Sequence, residues 1–267
     1  MIRGLFAAFA GFLLFSSLLA FGISWDLSSS LKYENVEANA VEAMLNVLNS
    51  QMNITQQIDQ NLPMIQQYCR TNPQGLVLNY QGYNITISCQ DANGNSTELV
   101  KNTLKNFVNE IYYTNYDCNY WGCFKKYSGS PLFLLSEKSY SYWKNIFYYS
   151  AAATIALFIA FSLLYKKKEN LMITSGIIIM LSSLPLLVMQ KILSTFPKIV
   201  SDVGSVFFSQ SGIVFLTMVI SGAVITGVGI ILRVFGIGVK IYEIFEKRKK
   251  APIQAKEEKS AQGKQGK

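Results

Sequence analysis

The chain has 267 residues, 50% of them hydrophobic, with a formal charge of +8 and no histidine. The missing histidine removes the usual catalytic base near neutral pH and the commonest metal ligand. The charge is unevenly placed: residues 24–143 carry ten acids and seven bases, while the excess bases flank apolar blocks and fill the C-terminal tail, a layout of topology determinants rather than of a nucleic-acid surface.

Residues 1–23, MIRGLFAAFAGFLLFSSLLAFGI, hold one base and then an apolar run that ends at Trp25-Asp26. The run from Leu5 is longer than a usual signal core, and Leu18 spoils a cleavage site at Ala20. The expectation is a retained transmembrane helix 1, or uncleaved signal anchor, with a cytoplasmic N-terminus. Gly4, Ala7, Ala8, Ala10 and Gly11 make part of it smooth enough for close contact in lipid. Farther on, Val36, Ala40, Met44, Leu48 and Met52 recur every four residues, predicting a stalk helix that Pro63 stops.

Arg3-Gly4, the apolar stretch Leu5–Ile23, this extension and the strand-like Leu76–Cys89 together resemble type IV pilin-like proteins. Such proteins have a short basic leader ending in glycine, an apolar assembly helix and a globular head with a small sheet. The resemblance spans about a third of the chain and implies an assembly component. Many members carry an acidic residue just after the leader; here Ala8 and Phe9 occupy that region, and three later apolar blocks lie outside that plan. GLFAAFAGFL is similar to the glycine-rich start of some viral fusion peptides, which implies membrane fusion as a further minor reading.

Residues 24–143 form the expected extracytoplasmic α+β domain. Alternation over Leu76–Tyr80 and Tyr83–Cys89 around Gln81-Gly82 predicts a hairpin, with Asn84 pointing away from the stalk. Leu99, Leu104, Phe107, Val108 and Ile111 predict a second helix over Thr97–Tyr113. Cys69, Cys89, Cys118 and Cys123 all lie in this segment, which favours disulfides in an oxidising compartment over a four-thiolate zinc site. Of the three pairings, Cys69–Cys89 with Cys118–Cys123 is slightly preferred. Asn53, Asn84 and Asn95 begin glycosylation triplets. Tyr112, Tyr113, Tyr116, Tyr120, Trp121, Phe124 and Tyr127 form the densest aromatic region. They read either as a recognition surface or as a small core that also seats the domain on the membrane.

Residues 144–165 are transmembrane helix 2. From Asn145 to Tyr165 there is no charge, Trp143 crowds one end, and Lys166–Lys168 close the other on the cytoplasmic side. Residues 171–190 return as helix 3, kinked at Pro185, into an external amphipathic connection over 191–210. Residues 211–233 form helix 4, whose Gly222, Ala223, Thr226 and Gly227 make two smooth ridges suited to tight packing and self-association. Residues 234–250 read as a juxtamembrane basic helix ending in Lys247–Lys250, facing anionic lipid, and 251–267 as a disordered cytoplasmic tail.

The expected fold class is thus a polytopic α-helical membrane protein: four transmembrane helices with a small disulfide-containing α+β ectodomain between helices 1 and 2. No charged residue falls inside the apolar runs 5–23, 145–165, 171–190 and 212–232, which weakens coupled transport. Ser128-Gly129-Ser130 has no histidine partner, and no phosphate loop, calcium loop or zinc-protease motif is present. The expectation is a non-enzymatic cell-membrane scaffold, adhesion or assembly component without catalytic residues, cofactor or metal. Its partners would be the lipid bilayer, like subunits in a homo-oligomer, or an extracellular protein or glycan, and not nucleic acid. The alternative is an oligomeric channel with an extracellular cap, for which Ser150, Thr154, Ser162, Thr174, Ser175, Ser182 and Ser183 offer a fragmentary polar stripe.

Overall fold

The computed structural model describes residues 2–80, 83–127, 131–164, 168–193, 195 and 204–235. Gln81-Gly82, where a turn is expected, Ser128–Ser130, the Lys166-Lys167 pair, most of the expected external connection, and most of the expected basic helix and the tail lie outside the described residues. Among the described residues four helices are long and apolar enough to cross a membrane, over Ala8–Ser30, Glu137–Leu164, Asn170–Met189 and Gly204–Phe235. The fold is mostly helical and consistent with a membrane-spanning bundle.

The first helix, α1 (Ile2–Ser30), runs well past the expected end at Ile23. It lies along α6 (Glu137–Leu164) and α7 (Lys168–Leu193). At one end Leu14, Leu18, Phe161 and Leu171 form a core; at the other Leu186, Val214 and Met218 pack against Ile23 and Trp25. Val214 and Met218 belong to α8, a helix over 211–235. Glycine allows these approaches: a methyl on Gly22 of α1 would meet Met218 Sδ at 3.0 Å and Leu186 Cδ1 at 3.2 Å. In lipid such packing, rather than escape from water, supplies the preference.

Residues 31 and 32 break the chain between α1 and α2 (Tyr33–Met52), with Lys32 extended at ψ 142°. The stalk is not one helix stopped by Pro63. It breaks at Asn53, which adopts the left-handed conformation (φ 48°, ψ 43°) and joins α2 to α3 (Ile54–Thr71). Asn tolerates that region better than other side-chain-bearing residues. Pro63 lies inside α3; both it and Asp59 are exposed, so water can satisfy the Asp59 carbonyl that the ring leaves without a donor.

A two-stranded antiparallel sheet follows, β1 (Leu76–Tyr80) and β2 (Tyr83–Ile87), pairing Leu76 with Ile87 and Tyr80 with Tyr83. Gly75 starts it at φ 89°, where a Cβ would sit 2.5 Å from the Ile87 carbonyl. The sheet stands between α3 and α4 (Ser96–Tyr113), not directly after the first helix; among membrane-length helices this is the interval between the first and second. Disulfides join Cys69 to Cys89, tying the end of α3 to the strand exit, and Cys118 to Cys123, closing the start of α5 (Tyr120–Lys126). Asn95 caps α4 by accepting from the Glu98 N–H at 2.7 Å, and Asn119 caps α5 by accepting from Gly122 N–H at 2.7 Å.

One core joins this domain to the bundle. Leu31, Val36, Ala40 and Val41 pack with Val108, Tyr112, Leu135 and Val206, so the break just after α1 and the segment before α8 share apolar contacts with α2 and α4. An ion pair from Lys105 to Glu37 at 3.2 Å lies at the α4–α2 contact.

Candidate functional site

The aromatic region divides into layers. Tyr112 and Tyr116 are buried, Tyr120 and Tyr127 are half-buried, and Tyr113, Trp121 and Phe124 are exposed. Tyr116, Cys123 and Phe133 form a small core, with Tyr120 and Tyr127 packed on it. Tyr120 stacks on Tyr142 of α6, with ring centres 4.0 Å apart and planes 3° from parallel. Lys138 donates to the Tyr116 carbonyl, binding the same segment to the start of α6. Burial pushes the Tyr120 phenol above its usual range, opposed by a hydrogen bond with Trp143 and assisted by Tyr142. Burial likewise pushes Tyr112 upward, reinforced by Glu137. Neither phenol is poised to act as a base near neutral pH.

A second feature lies at the α2–α3 break. Asn49, Asn53, Thr55, Gln56 and Asp59 line a shallow polar cleft of about 380 Å³ with Ser96 of α4. Thr55 donates through Oγ1 to Asn49 Oδ1 at 2.7 Å, and its N–H donates to the same oxygen at 3.1 Å. The side chain of Asn53 is exposed, and so is Asn95, whose Oδ1 caps α4; the Asn84 side chain lies outside the description. Along α3 no side chain is fully buried: Ile54, Ile58, Leu62 and Ile65 are half-covered while Met64 and Tyr68 are exposed.

The ridges of α8 have different surroundings. Gly222 faces α7, where an added methyl would lie 2.7 Å from the Gly176 carbonyl oxygen and 2.7 Å from Met180 Cγ. Thr226 meets the same Gly176. Ala223 is exposed, and nothing lies within 4 Å of a methyl on Gly227. Gly176 was not singled out from sequence, though Thr174-Ser175-Gly176 is the smallest-residue run in α7.

Asp26 lies beyond the first span expected from sequence, residues 1–23, but within the candidate span Ala8–Ser30, and is fully buried. Its Oδ1 accepts from Ser30 Oγ at 3.1 Å, and Ser30 Oγ accepts from the Gln210 N–H at 3.2 Å, just before α8 begins. Oδ2 of Asp26 and Oγ of Ser209 are buried without a partner among the described residues. An Asp–Ser pair four apart at the end of an apolar run is the signal that could have flagged it.

Six hydroxyls of the polar stripe join helices or bond their own backbone. Ser150 meets Ser24 at 2.9 Å and Thr154 meets Ser17 at 2.8 Å, both between α1 and α6. Ser162, Ser175, Ser182 and Ser183 donate to carbonyls three residues back. Among the described residues no group of three His, Cys, Asp or Glu could hold a metal. Comparison with protein-family models, curated proteins and solved structures found no match.

Proposed function

We propose that the chain is a multi-pass membrane scaffold or assembly component whose ectodomain binds a protein, a glycan or a like subunit. The carrying observation is α3. It is an 18-residue helix with no fully buried side chain, yet it presents exposed Met64 and Tyr68. A helix that gives so little to its own core, but is fixed at its end by the Cys69–Cys89 bond, is suited to contact another molecule. The polar cleft beside Asn53 adds hydrogen-bonding groups at the other end of α3. The core shared by α1, α2, α4 and the segment before α8 would hold that surface in a fixed pose above the bilayer. In this reading residues 24–143 and 191–210 are external, both termini are cytoplasmic, the asparagine triplets carry glycans, and the basic tail meets anionic lipid.

The channel reading has less support, because Ser150 and Thr154 are engaged with α1 and the other bonded hydroxyls with their own helices. A photo-crosslinking residue at position 64 or 68, with position 117 as control, tests the scaffold reading in native membranes. The expected result is a discrete adduct from 64 and 68 alone. Absence of adducts, together with ion flux in proteoliposomes of the purified chain, would favour the channel.

A further inference from the structure

We propose that the disulfide-closed turn at α5 is a lipid-docking element: Trp121 and Phe124 insert among the headgroups of the leaflet at the N-terminal end of α6, with Lys125 and Lys126 beside them for anionic lipid. The inference rests on the multi-pass membrane reading and not on any protein or glycan partner of α3.

The position follows from α6. Its charge-free run starts at Asn145, and Tyr142 precedes that by three residues. At about 1.5 Å per residue, Tyr142 stands about 4.5 Å outside the start of the apolar run. The headgroup layer on each side is about 5–7.5 Å deep, given a core of about 30 Å in a bilayer of about 40–45 Å. Tyr142 is therefore at headgroup level. It carries α5 with it, since Tyr120 stacks on it and the Trp121 ring centre is 6.3 Å away. Trp143 also touches Tyr120, at 6.3 Å. The aromatic band of α6 and the α5 turn are thus continuous.

The chemistry of the turn fits that depth. Its inner side is occupied: Cys123 is fully buried, with Tyr116 and Phe133 against it. Trp121 is 59% exposed and Phe124 45% exposed, with ring centres 6.1 Å apart. Lys125 and Lys126 in the last turn are exposed as well. A large indole and a phenyl beside two ammonium groups match an interface where apolar carbon and anionic phosphate meet. The Cys118–Cys123 bond and the Asn119 cap hold the turn in shape before it meets lipid.

The test uses the full chain in phosphatidylcholine vesicles, with and without phosphatidylglycerol. Trp25→Phe with Trp143→Phe leaves Trp121 as the only tryptophan. Lipids brominated high on the acyl chain should quench it strongly, and aqueous iodide weakly; Lys125→Gln with Lys126→Gln should reduce the lipid quenching in the anionic vesicles. Iodide quenching without lipid quenching would overturn the proposal. Protection from both would also overturn it, by showing a protein contact on the turn. As a measurement on the unaltered aromatic band, 5-fluorotryptophan can be incorporated and the Trp121 signal assigned by its loss in Trp121→Phe. A nitroxide near the lipid headgroup should broaden that signal as much as the Trp143 signal; a sharp Trp121 signal beside a broad Trp143 signal would refute docking. Failure of α3 to crosslink a partner leaves all these readouts unaffected.

Discussion

The Tyr112 hydroxyl donates to the backbone carbonyl of Leu31 at 3.1 Å, joining α4 to the break where α1 ends. Leu31 has no exposed surface and Tyr112 has almost none, so water cannot replace this bond. Tyr112→Phe keeps the ring but leaves the carbonyl without this donor, and should cost about 1–3 kcal/mol. Thermal unfolding of the full chain in lipid nanodiscs would measure it; an unchanged midpoint would show that the bond is not formed.

The same tyrosine sets an alkaline limit. Its folded pKa is raised, chiefly by burial, so folding favours the protonated phenol. That contribution is intact below the unfolded tyrosine value of about 10 and is lost progressively as pH rises above it, toward the raised folded value. Unfolding midpoints should fall above about pH 10, and Tyr112→Phe should flatten the fall. An equal slope in both proteins would assign the effect to other groups.

The two ridges of α8 make opposite predictions. Gly222→Leu drives a side chain into Gly176 and Met180 of α7, so assembly of the chain itself should suffer and accumulation should drop. Gly227→Leu meets open space within the chain and should leave the monomer folded. If Ala223 and Gly227 serve self-association, Gly227→Leu should also shift native mass spectra from lipid toward monomer. Equal accumulation of both variants would contradict the α7–α8 contact.

These ridges illustrate what the sequence could convey. Apolar length and the position of lysines near residue 166 delimit the spans because a bilayer imposes one thickness on all of them. Spacing four apart revealed that α8 has smooth faces, but not which would meet α7, since that depends on the partner's own smooth patch around Gly176. The end of α1 was legible only in part. Asp26 reads as a boundary because a carboxylate in lipid is costly, yet Ser30, four residues on, and the Gln210 N–H, 180 residues beyond Ser30 in the chain, provide a polar setting. Pro63 misled for a local reason: on an exposed face, water meets the unbonded carbonyl and the helix continues. The aromatic cluster was visible as composition, but its division into buried Tyr116 and exposed Trp121 is a consequence of tertiary packing.

The Asp26–Ser30–Gln210 connection should be a tether between α1 and α8. Gln210 accepts the first bond of α8 from Val214 at 3.0 Å, so its own N–H is one of the donors a helix start leaves unpaired. Ser30→Ala removes the acceptor for that N–H and a donor to Asp26, and should cost about 1–3 kcal/mol for each group left buried without a partner. Asp26→Asn keeps the Oδ1 acceptor but puts an amide NH2 where Oδ2 has no partner among the described residues, one buried unpaired group at about 1–3 kcal/mol against two for Ser30→Ala. The expected order of unfolding midpoints is wild type, then Asp26→Asn, then Ser30→Ala. The reverse order would assign the stability to the carboxylate charge rather than to the serine bridge.

The two disulfides should differ in weight. Cys69 and Cys89 are 20 residues apart, Cys118 and Cys123 only 5. In the chain-entropy view a bond restrains the unfolded ensemble more when it closes a longer loop, about 3 kcal/mol for the first against about 2 kcal/mol for the second. Their local consequences run the other way. Cys69→Ser with Cys89→Ser frees the end of α3 from the strand exit, while the α5 turn remains attached through Tyr120 and Tyr142. Cys118→Ser with Cys123→Ser places a hydroxyl where fully buried Cys123 packs on Tyr116 and Phe133, so it also adds a core penalty. Replacing that pair by alanine separates the terms, since it removes the bond without burying a hydroxyl. In denaturant melts of the signal from residues 33–135, the Cys69/Cys89 serine pair should lose more stability than the Cys118/Cys123 alanine pair, by about 1 kcal/mol. The Cys118/Cys123 serine pair should fall below its alanine counterpart. If the alanine pair loses the most, α5 contributes to global stability through more than loop closure, and the entropy argument fails for this domain.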